Sequence, residues 1–301
     1  MVKEVNVVYA ANNKYAQYLC VTLNSLIENT SENNHYNIYI LETDISEENK
    51  NYIKQISDDK EHINVQFINT NEVFEKYGSE KLFCHLYFTK EMYLRIFIPL
   101  ILSDKDRALY IDIDTIVMGD VADIFDIDLG DNYLGAARDF NTVVNYKYYD
   151  SVRKYFGEVL GFKDMTKYFN SGVLLMNLNK LREINIVEKT YELLEKYKEL
   201  LYPDQDILNL ICEDHKLILD NCWNYVPLIN MALIQDEDFY EVSKEWVKGV
   251  ANRKIIHYIS EEKPWEFPDR FYSTKWWHEA KKTPVYNDLL KEYFTKHPEK
   301  L

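Results

Sequence analysis

The sequence predicts an α/β fold, a β-sheet flanked by helices on both faces. Three observations carry this. Short β-branched and aromatic runs alternate with helical stretches along the chain. The 301 residues are 47% hydrophobic, enough to build the core of one large or two small domains. Two carboxylates also stand at the carboxyl end of an apolar strand, where open α/β sheets place their ligands.

The elements follow in order. Val5–Ala11 (VNVVYAA) reads as a buried strand, and Lys14–Asn29 as a largely buried helix. Asn37–Leu41 is a second strand. Ser46 with Glu47 and Glu48 opens the next helix, supplying a side-chain acceptor and N-terminal negative charge. Ile63–Ile68 is a third strand, Glu91–Leu102 a helix carrying Arg95, and Ala108–Ile113 (ALYIDI) a fourth strand. Further strands are expected at Tyr133–Ala137, Val173–Asn177, Lys216–Leu219 and Lys254–Ile259, with helices at Lys180–Leu200 and Gln205–Asp214.

Composition excludes several functions. Lys and Arg number 35 against 50 Asp and Glu, a net charge of −15, which leaves nothing to neutralise a nucleic-acid backbone. Only 8 glycines occur, and neither G-x-G-x-x-G nor G-x-x-x-x-G-K-[ST] is present. An acidic chain without a phosphate-cradling loop would need a metal ion to hold a diphosphate. Cys20, Cys84, Cys212 and Cys222 form no C-x-x-C pair, which argues against disulfides or structural zinc and fits a reducing cytoplasm. No leader pattern and no long apolar span is found, so a soluble cytoplasmic protein is expected.

From Pro268 to Leu301 seven Lys/Arg face five acids, among Phe271, Tyr272, Trp276 and Trp277. The preferred reading packs these aromatics on the main body. The alternative is a weak peripheral contact with an anionic membrane surface.

The chemistry centres on Asp112 and Asp114 in Ala108-Leu-Tyr-Ile-Asp-Ile-Asp-Thr. Alternation along an extended chain aims both carboxylates to one side. Two such oxygens can hold Mn²⁺ or Mg²⁺ and leave coordination sites for a diphosphate. Spacing alone is weak: 23 aspartates give one or two D-x-D pairs by chance, and five occur. This pair differs because apolar residues precede it, and burying two like charges without a counter-ion is costly. Far downstream, His257 ends a short apolar strand and Lys263 follows, a third metal ligand and a cation for a leaving phosphate. Haloacid-dehalogenase-like phosphatases also use such a strand end, but they carry Thr or Val where Ile116 stands here.

The ordered set of motifs resembles the family 8 glycosyltransferases, a retaining group that includes bacterial lipopolysaccharide galactosyl- and glucosyltransferases and, more distantly, glycogenin. The motifs are Val5–Ala11, Leu109–Asp114, Tyr168–Leu178 with Asn170 and Gly172, Pro203–Asn209, and His257 through Trp265. The resemblance implies a GT-A fold, a Rossmann-like mixed sheet. A catalytic domain over residues 1–263 would precede a helical tail over 264–301. It implies that Ala10 and Asn12 contact a uridine ring, that Arg95 reaches the nucleotide sugar, and that Ile113 lies in the donor site. Asp112, Asp114 and His257 would bind Mn²⁺ (Mg²⁺ as the alternative), and Lys263 would neutralise the departing diphosphate. Asp139, Asn170, Asp204 and Gln205 would surround the donor hexose. Gln205 is the family-matched candidate nucleophile, and Asp204 a secondary participant. Where the family has glycine three residues after the metal-binding histidine, this chain has Ser260, followed by Glu261 and Glu262.

The expected activity is metal-dependent transfer of glucose or galactose from a UDP-sugar, with retention, to a hydroxyl of a glycan, glycolipid or glycoprotein. The alternatives are a non-catalytic UDP-sugar-binding protein of the same fold and a metal-dependent phosphatase.

Overall fold

The structure, a computed structural model, describes residues 2–78, 82, 89–227, 240–259 and 261–300. Cys84, Ser260 and the Asp236/Asp238 pair lie outside them.

Strand β1 (Glu4–Ala11) is buried from Val5 onward. After a 3₁₀ turn at Asn13–Tyr15 comes helix α1 (Ala16–Ile27), in which every residue but Gln17 is buried. Such a helix, apolar on nearly every side, belongs between layers. Strand β2 (His35–Glu42) leads to α2 (Glu47–Gln55), capped as predicted by the Ser46 side chain accepting the Asn49 N–H. Then follow β3 (Ile63–Asn69), α3 (Asn71–Tyr77) and α4 (Leu94–Ile101), the last preceded by a 3₁₀ turn over Lys90–Tyr93.

Strand β4 (Arg107–Ile111) stops two residues short of the expected Ile113, because the chain turns at Asp112 before the short β5 (Thr115–Val117). Next come α5 (Ala122–Phe125), β6 (Leu134–Arg138), α6 (Phe140–Tyr148), α7 (Asp150–Arg153) and β7 (Phe169–Asn177). The single helix expected over Lys180–Leu200 is two, α8 (Leu178–Glu183) and α9 (Ile186–Lys196). Asn185 breaks it with a left-handed backbone (φ 50°), a conformation that asparagine tolerates better than most residues. Helix α10 (Pro203–Ile211) begins on a proline at its first turn, and β8 (Lys216–Leu219) follows. The chain ends in α11 (Tyr240–Asn252), β9 (Ile255–His257), α12 (Ser273–Ala280) and α13 (Tyr286–Lys296).

Seven strands form one sheet in the order β3-β2-β1-β4-β7-β6-β8; β5 and β9 form a separate antiparallel pair. All seven run in one direction except β7, which is antiparallel to both neighbours. The sheet is therefore mixed, as predicted. Alternation divides its side chains between two cores: Leu109 and Ile111 of β4 face α1, whereas Ala108 and Tyr110 face α4 and α10.

The C-terminal aromatics pack on the main body. Trp276 is fully buried, Trp265 stacks on Tyr18 of α1 at 4.1 Å, and Asn24 of α1 donates to Glu279. Phe271 stays exposed. Cys20, Cys212 and Cys222 are buried free thiols. Among the described residues no helix is long and apolar enough to cross a membrane.

Candidate active site

The chain builds β1 to β3 outward in one direction, then returns to place β4 on the other side of β1. The crevice between the carboxyl ends of β1 and β4 is thus a topological switch point, the usual ligand position in an open α/β sheet. Reversed β7 contributes its beginning to the same edge. A cavity of about 690 Å³ opens there, within the usual range for small-molecule sites. Ala10, Asn12, Arg95, Asp112, Ile113, Asp114, Asp139, Asn170, Asp204, Gln205, His257 and Lys263 all line it.

Asp112 and Asp114 converge from a turn rather than from an extended strand. The turn is pinned on several sides. The Asp112 N–H donates to the Gly172 carbonyl (2.8 Å) and the Tyr258 N–H to the Asp114 carbonyl (2.9 Å). The Thr115 hydroxyl donates to the Asp112 carbonyl (2.8 Å), while the buried Thr22 hydroxyl of α1 reaches the Ile113 and Thr115 carbonyls. His257 enters because Thr115 and His257 are partners in the β5–β9 ladder. Ligand atoms of Asp112, Asp114 and His257 lie within 4.8 Å of one another. His257 Nε2 stands 3.2 Å from Asp114 Oδ1 and 3.8 Å from Asp112 Oδ2. Two carboxylate oxygens and one imidazole nitrogen fit a hard or borderline divalent cation such as Mn²⁺ or Mg²⁺.

The two carboxyls are held differently. Burial pushes Asp112 up, against the pull of Arg95 and with the added charge of Asp114. Burial acts on Asp114 too, but Lys263 and His257 more than offset it and hold that carboxyl well below the usual range. Lys263 Nζ lies 2.5 Å from Asp114 Oδ2 and also donates to the Tyr258 carbonyl.

Arg95, buried in α4, spends its donors on protein groups: Asp112 (2.7 Å), the Ser171 carbonyl (2.7 Å) and hydroxyl (2.8 Å), and the Met92 carbonyl (2.9 Å). Its guanidinium also lies 3.2 Å from Asp204 and stacks over Tyr110. Asp204 lies in the first turn of α10 but does not cap it. Tyr202 holds the N-cap position, and the Asp204 carboxylate turns to Arg95 and the Ser171 hydroxyl. Gln205 accepts the Ser171 N–H (3.0 Å) and donates to Asp139 (3.0 Å) and the Tyr168 hydroxyl (3.2 Å). Asp139 caps α6, whose Asn141, Asn145 and Tyr148 recur on one face and line the cavity. Asn12 Oδ1 is buried and meets no donor among the described residues. Glu262 turns to Arg270, and neither Glu261 nor Glu262 lines the cavity.

Sequence reasoning passed over four contributors. Ser171 ties Arg95, Asp204 and Gln205 together. Asn224 meets the His257 ring at 2.9 Å. The Tyr110 hydroxyl donates to Asp112 (2.6 Å). Buried Asp206 accepts the Tyr155 and Tyr168 hydroxyls (both 2.6 Å), and burial pushes its carboxyl up to about 6.

Comparison with known proteins shows what the chain as a whole is similar to. The model of the family described as "Glycosyl transferase family 8" matches residues 6–268. The chain is 31% identical to glycosyltransferase GlyF of Streptococcus pneumoniae over 94% of its own length and 61% of that protein's. It is 25% identical to the lipopolysaccharide 1,2-glucosyltransferase of Escherichia coli K12, covering 94% of this chain and 79% of that one. Among solved structures, galactosyltransferase LgtC in complex with donor and acceptor sugar analogs superposes with a TM-score of 0.76 at 26% identity. That match covers 93% of this chain and 96% of LgtC.

Proposed function

The chain belongs to glycosyltransferase family 8, and from that membership we propose that it transfers glucose or galactose from a UDP-sugar to an acceptor hydroxyl, with retention. One observation carries the metal-dependent part of the proposal. Asp112, Asp114 and His257 bring three cation-binding atoms together beside a cavity that Asp139, Asp204 and Gln205 also line. Bound there, Mn²⁺ or Mg²⁺ supplies charge neutralisation for a diphosphate leaving group.

The chain's own residues divide the remaining work. Ala10 and Asn12 both line the cavity, and the Asn12 carboxamide suits the N–H of a uracil edge. Asp139, Asn170, Asp204 and Gln205 form the polar wall for the hexose. Lys263, a flexible cation at the cavity, is suited to follow the diphosphate as it departs. The carboxamide and tyrosine face of α6, with Tyr149 and Tyr202, suits a saccharide acceptor.

Retention through two displacements would need a nucleophile opposite the leaving group. The Gln205 amide oxygen is a weak one and already accepts the Ser171 N–H, and the Asp204 carboxylate is paired with Arg95. These contacts favour front-side attack. The anomeric carbon–oxygen bond to diphosphate breaks, the acceptor oxygen bonds on the same face, and its proton passes to a diphosphate oxygen.

The reading includes a cytoplasmic location, with a glycan, glycolipid or glycoprotein acceptor. Exposed Phe267 and Phe271 beside Arg270 leave an edge for weak contact with an anionic membrane. The test is incubation with a panel of UDP-sugars, Mn²⁺ and saccharide acceptors, reading UDP release and the product's anomeric configuration. Transfer with retention supports the reading. Binding without turnover would make the chain a non-catalytic binder, and cleavage of simple phosphomonoesters without a nucleotide would make it a phosphatase. In the same assay Gln205→Ala slows turnover without abolishing it, and a trapped glycosyl adduct on Gln205 or Asp204 would overturn the front-side route.

A further inference from the structure

Two buried amide side chains, Asn170 and Asn224, form a relay to His257 of the cation site whose direction is fixed by one backbone group. The Gly172 N–H, which can only donate, points at Asn170 Oδ1 (2.9 Å). That atom is therefore the carbonyl oxygen of Asn170. Asn224 contacts the same oxygen at 2.8 Å, so it must present its NH₂ there. The other end of the Asn224 amide, its oxygen, then faces His257 Nδ1 at 2.9 Å. An acceptor at Nδ1 requires the ring proton on Nδ1 and leaves the Nε2 lone pair directed at Asp114 and Asp112. Asn170, Asn224 and His257 are 7%, 1% and 3% exposed, so water has little access to replace any link.

The fold supplies each link. Tyr225 bonds to β9 on the side away from β5, its carbonyl accepting the His257 N–H (2.8 Å) and its N–H donating to the Ile255 carbonyl (2.8 Å). This delivers Asn224 to the ring. Gly172 leaves the imidazole its room: a Cβ there would lie 2.1 Å from His257 Cε1.

We propose that Asn224, aimed by Asn170, is a positioning residue that holds His257 in the Nδ1–H form and so commits Nε2 to the divalent cation. Outer partners of metal-bound histidines act in this way generally, and their loss weakens metal binding about 10- to 100-fold. The inference rests on the reading of Asp112, Asp114 and His257 as a cation site.

The experiment measures Mn²⁺ affinity of the full chain by electron paramagnetic resonance, without sugar nucleotide. It is paired with ¹⁵N NMR of labelled histidine, which reads the His257 tautomer. Wild type is expected to bind Mn²⁺ and to show Nδ1–H. Asn224→Leu is expected to bind about 10- to 100-fold more weakly with a mixed tautomer. Asn224→Asp, which keeps an acceptor for Nδ1–H but turns a carboxylate oxygen in place of NH₂ toward Asn170 Oδ1, is expected to keep the Nδ1–H tautomer. If Asn224→Leu does not fold, the aspartate variant still decides, because an Nε2–H tautomer in it overturns the proposal. An Nε2–H tautomer in wild type, or unchanged affinity in a folded Asn224→Leu, overturns it too. Failure of wild type to bind Mn²⁺ rejects the cation site itself, a separate outcome.

Discussion

Thr115 and His257 stand directly opposite each other across the β5–β9 ladder, though 142 positions separate them in the chain. That pairing brings an imidazole to the two carboxylates of the preceding turn. Asp114→Ala and His257→Ala should each lower metal-stimulated turnover by roughly 10²–10³-fold, the scale of several kcal/mol of charge stabilisation, with the far-UV circular dichroism unchanged. Full turnover by either variant in EDTA would falsify the metal assignment.

Gly172→Ala should damage the same centre by crowding. The added methyl would lie 2.1 Å from His257 Cε1, 2.7 Å from Nδ1 and 2.8 Å from Asp112 Oδ2. The ring must move away from the carboxylates. Expected results are weaker Mn²⁺ binding and a stability loss of about 1–3 kcal/mol in urea. Wild-type Mn²⁺ affinity in this variant would mean that the ring has another place to sit.

Arg95 pairs with two acids at once, half-buried Asp112 and buried Asp204. Arg95→Met should destabilise the protein by about 3–5 kcal/mol, the usual result of breaking one side of a buried pair. Arg95→Lys should recover only part of this, because one ammonium cannot span Asp112, Asp204 and Ser171 together. Equal stability of the lysine variant and wild type would show that charge, not the planar fork, is what matters there.

Asp206 makes stability depend on pH with a definite sign. Its folded pKa, pushed up to about 6, lies above the ordinary carboxylate value, so the native state keeps a proton that the unfolded chain releases. Stability attributable to this group is full below about pH 4 and falls as pH rises to about 6. Asp206→Asn removes that slope. The difference between wild-type and variant unfolding free energies should change by roughly 3 kcal/mol across this window, and then level off. A flat difference would show that the Tyr155 and Tyr168 hydroxyls satisfy the ionised carboxylate fully.

The parts of this molecule legible in the sequence are those written locally. Val7–Ala11 and Leu217–Leu219 are apolar runs and lie in strands. Asp112 and Asp114 stood out because charge follows an apolar strand. Their convergence has a different cause from the one alternation suggests, since β4 ends at Ile111 and a turn held by Thr22, Thr115 and Tyr258 aims them. Asn185 splits a stretch whose apolar pattern reads as one helix, because the pattern does not register a left-handed residue. Asn224 and Ser171 left no local signal at all. Their roles come from the Tyr225–Ile255 and Asp112–Gly172 contacts, which join distant segments.

The reversal of β7 has a consequence for anyone seeking to redesign this protein. Because that strand starts at the ligand edge, Asn170, Ser171 and Gly172 are consecutive yet meet different partners. Asn170 and Gly172 stand behind the imidazole, whereas Ser171 braces Arg95, Asp204 and Gln205. Substitution across these three positions therefore disturbs the surroundings of His257 and those of Arg95, Asp204 and Gln205 together. A library randomised across them will mostly return variants disturbed around both sets of partners, so changes on the proposed acceptor side are better sought along α6, whose Asn141, Asn145 and Tyr148 line the cavity.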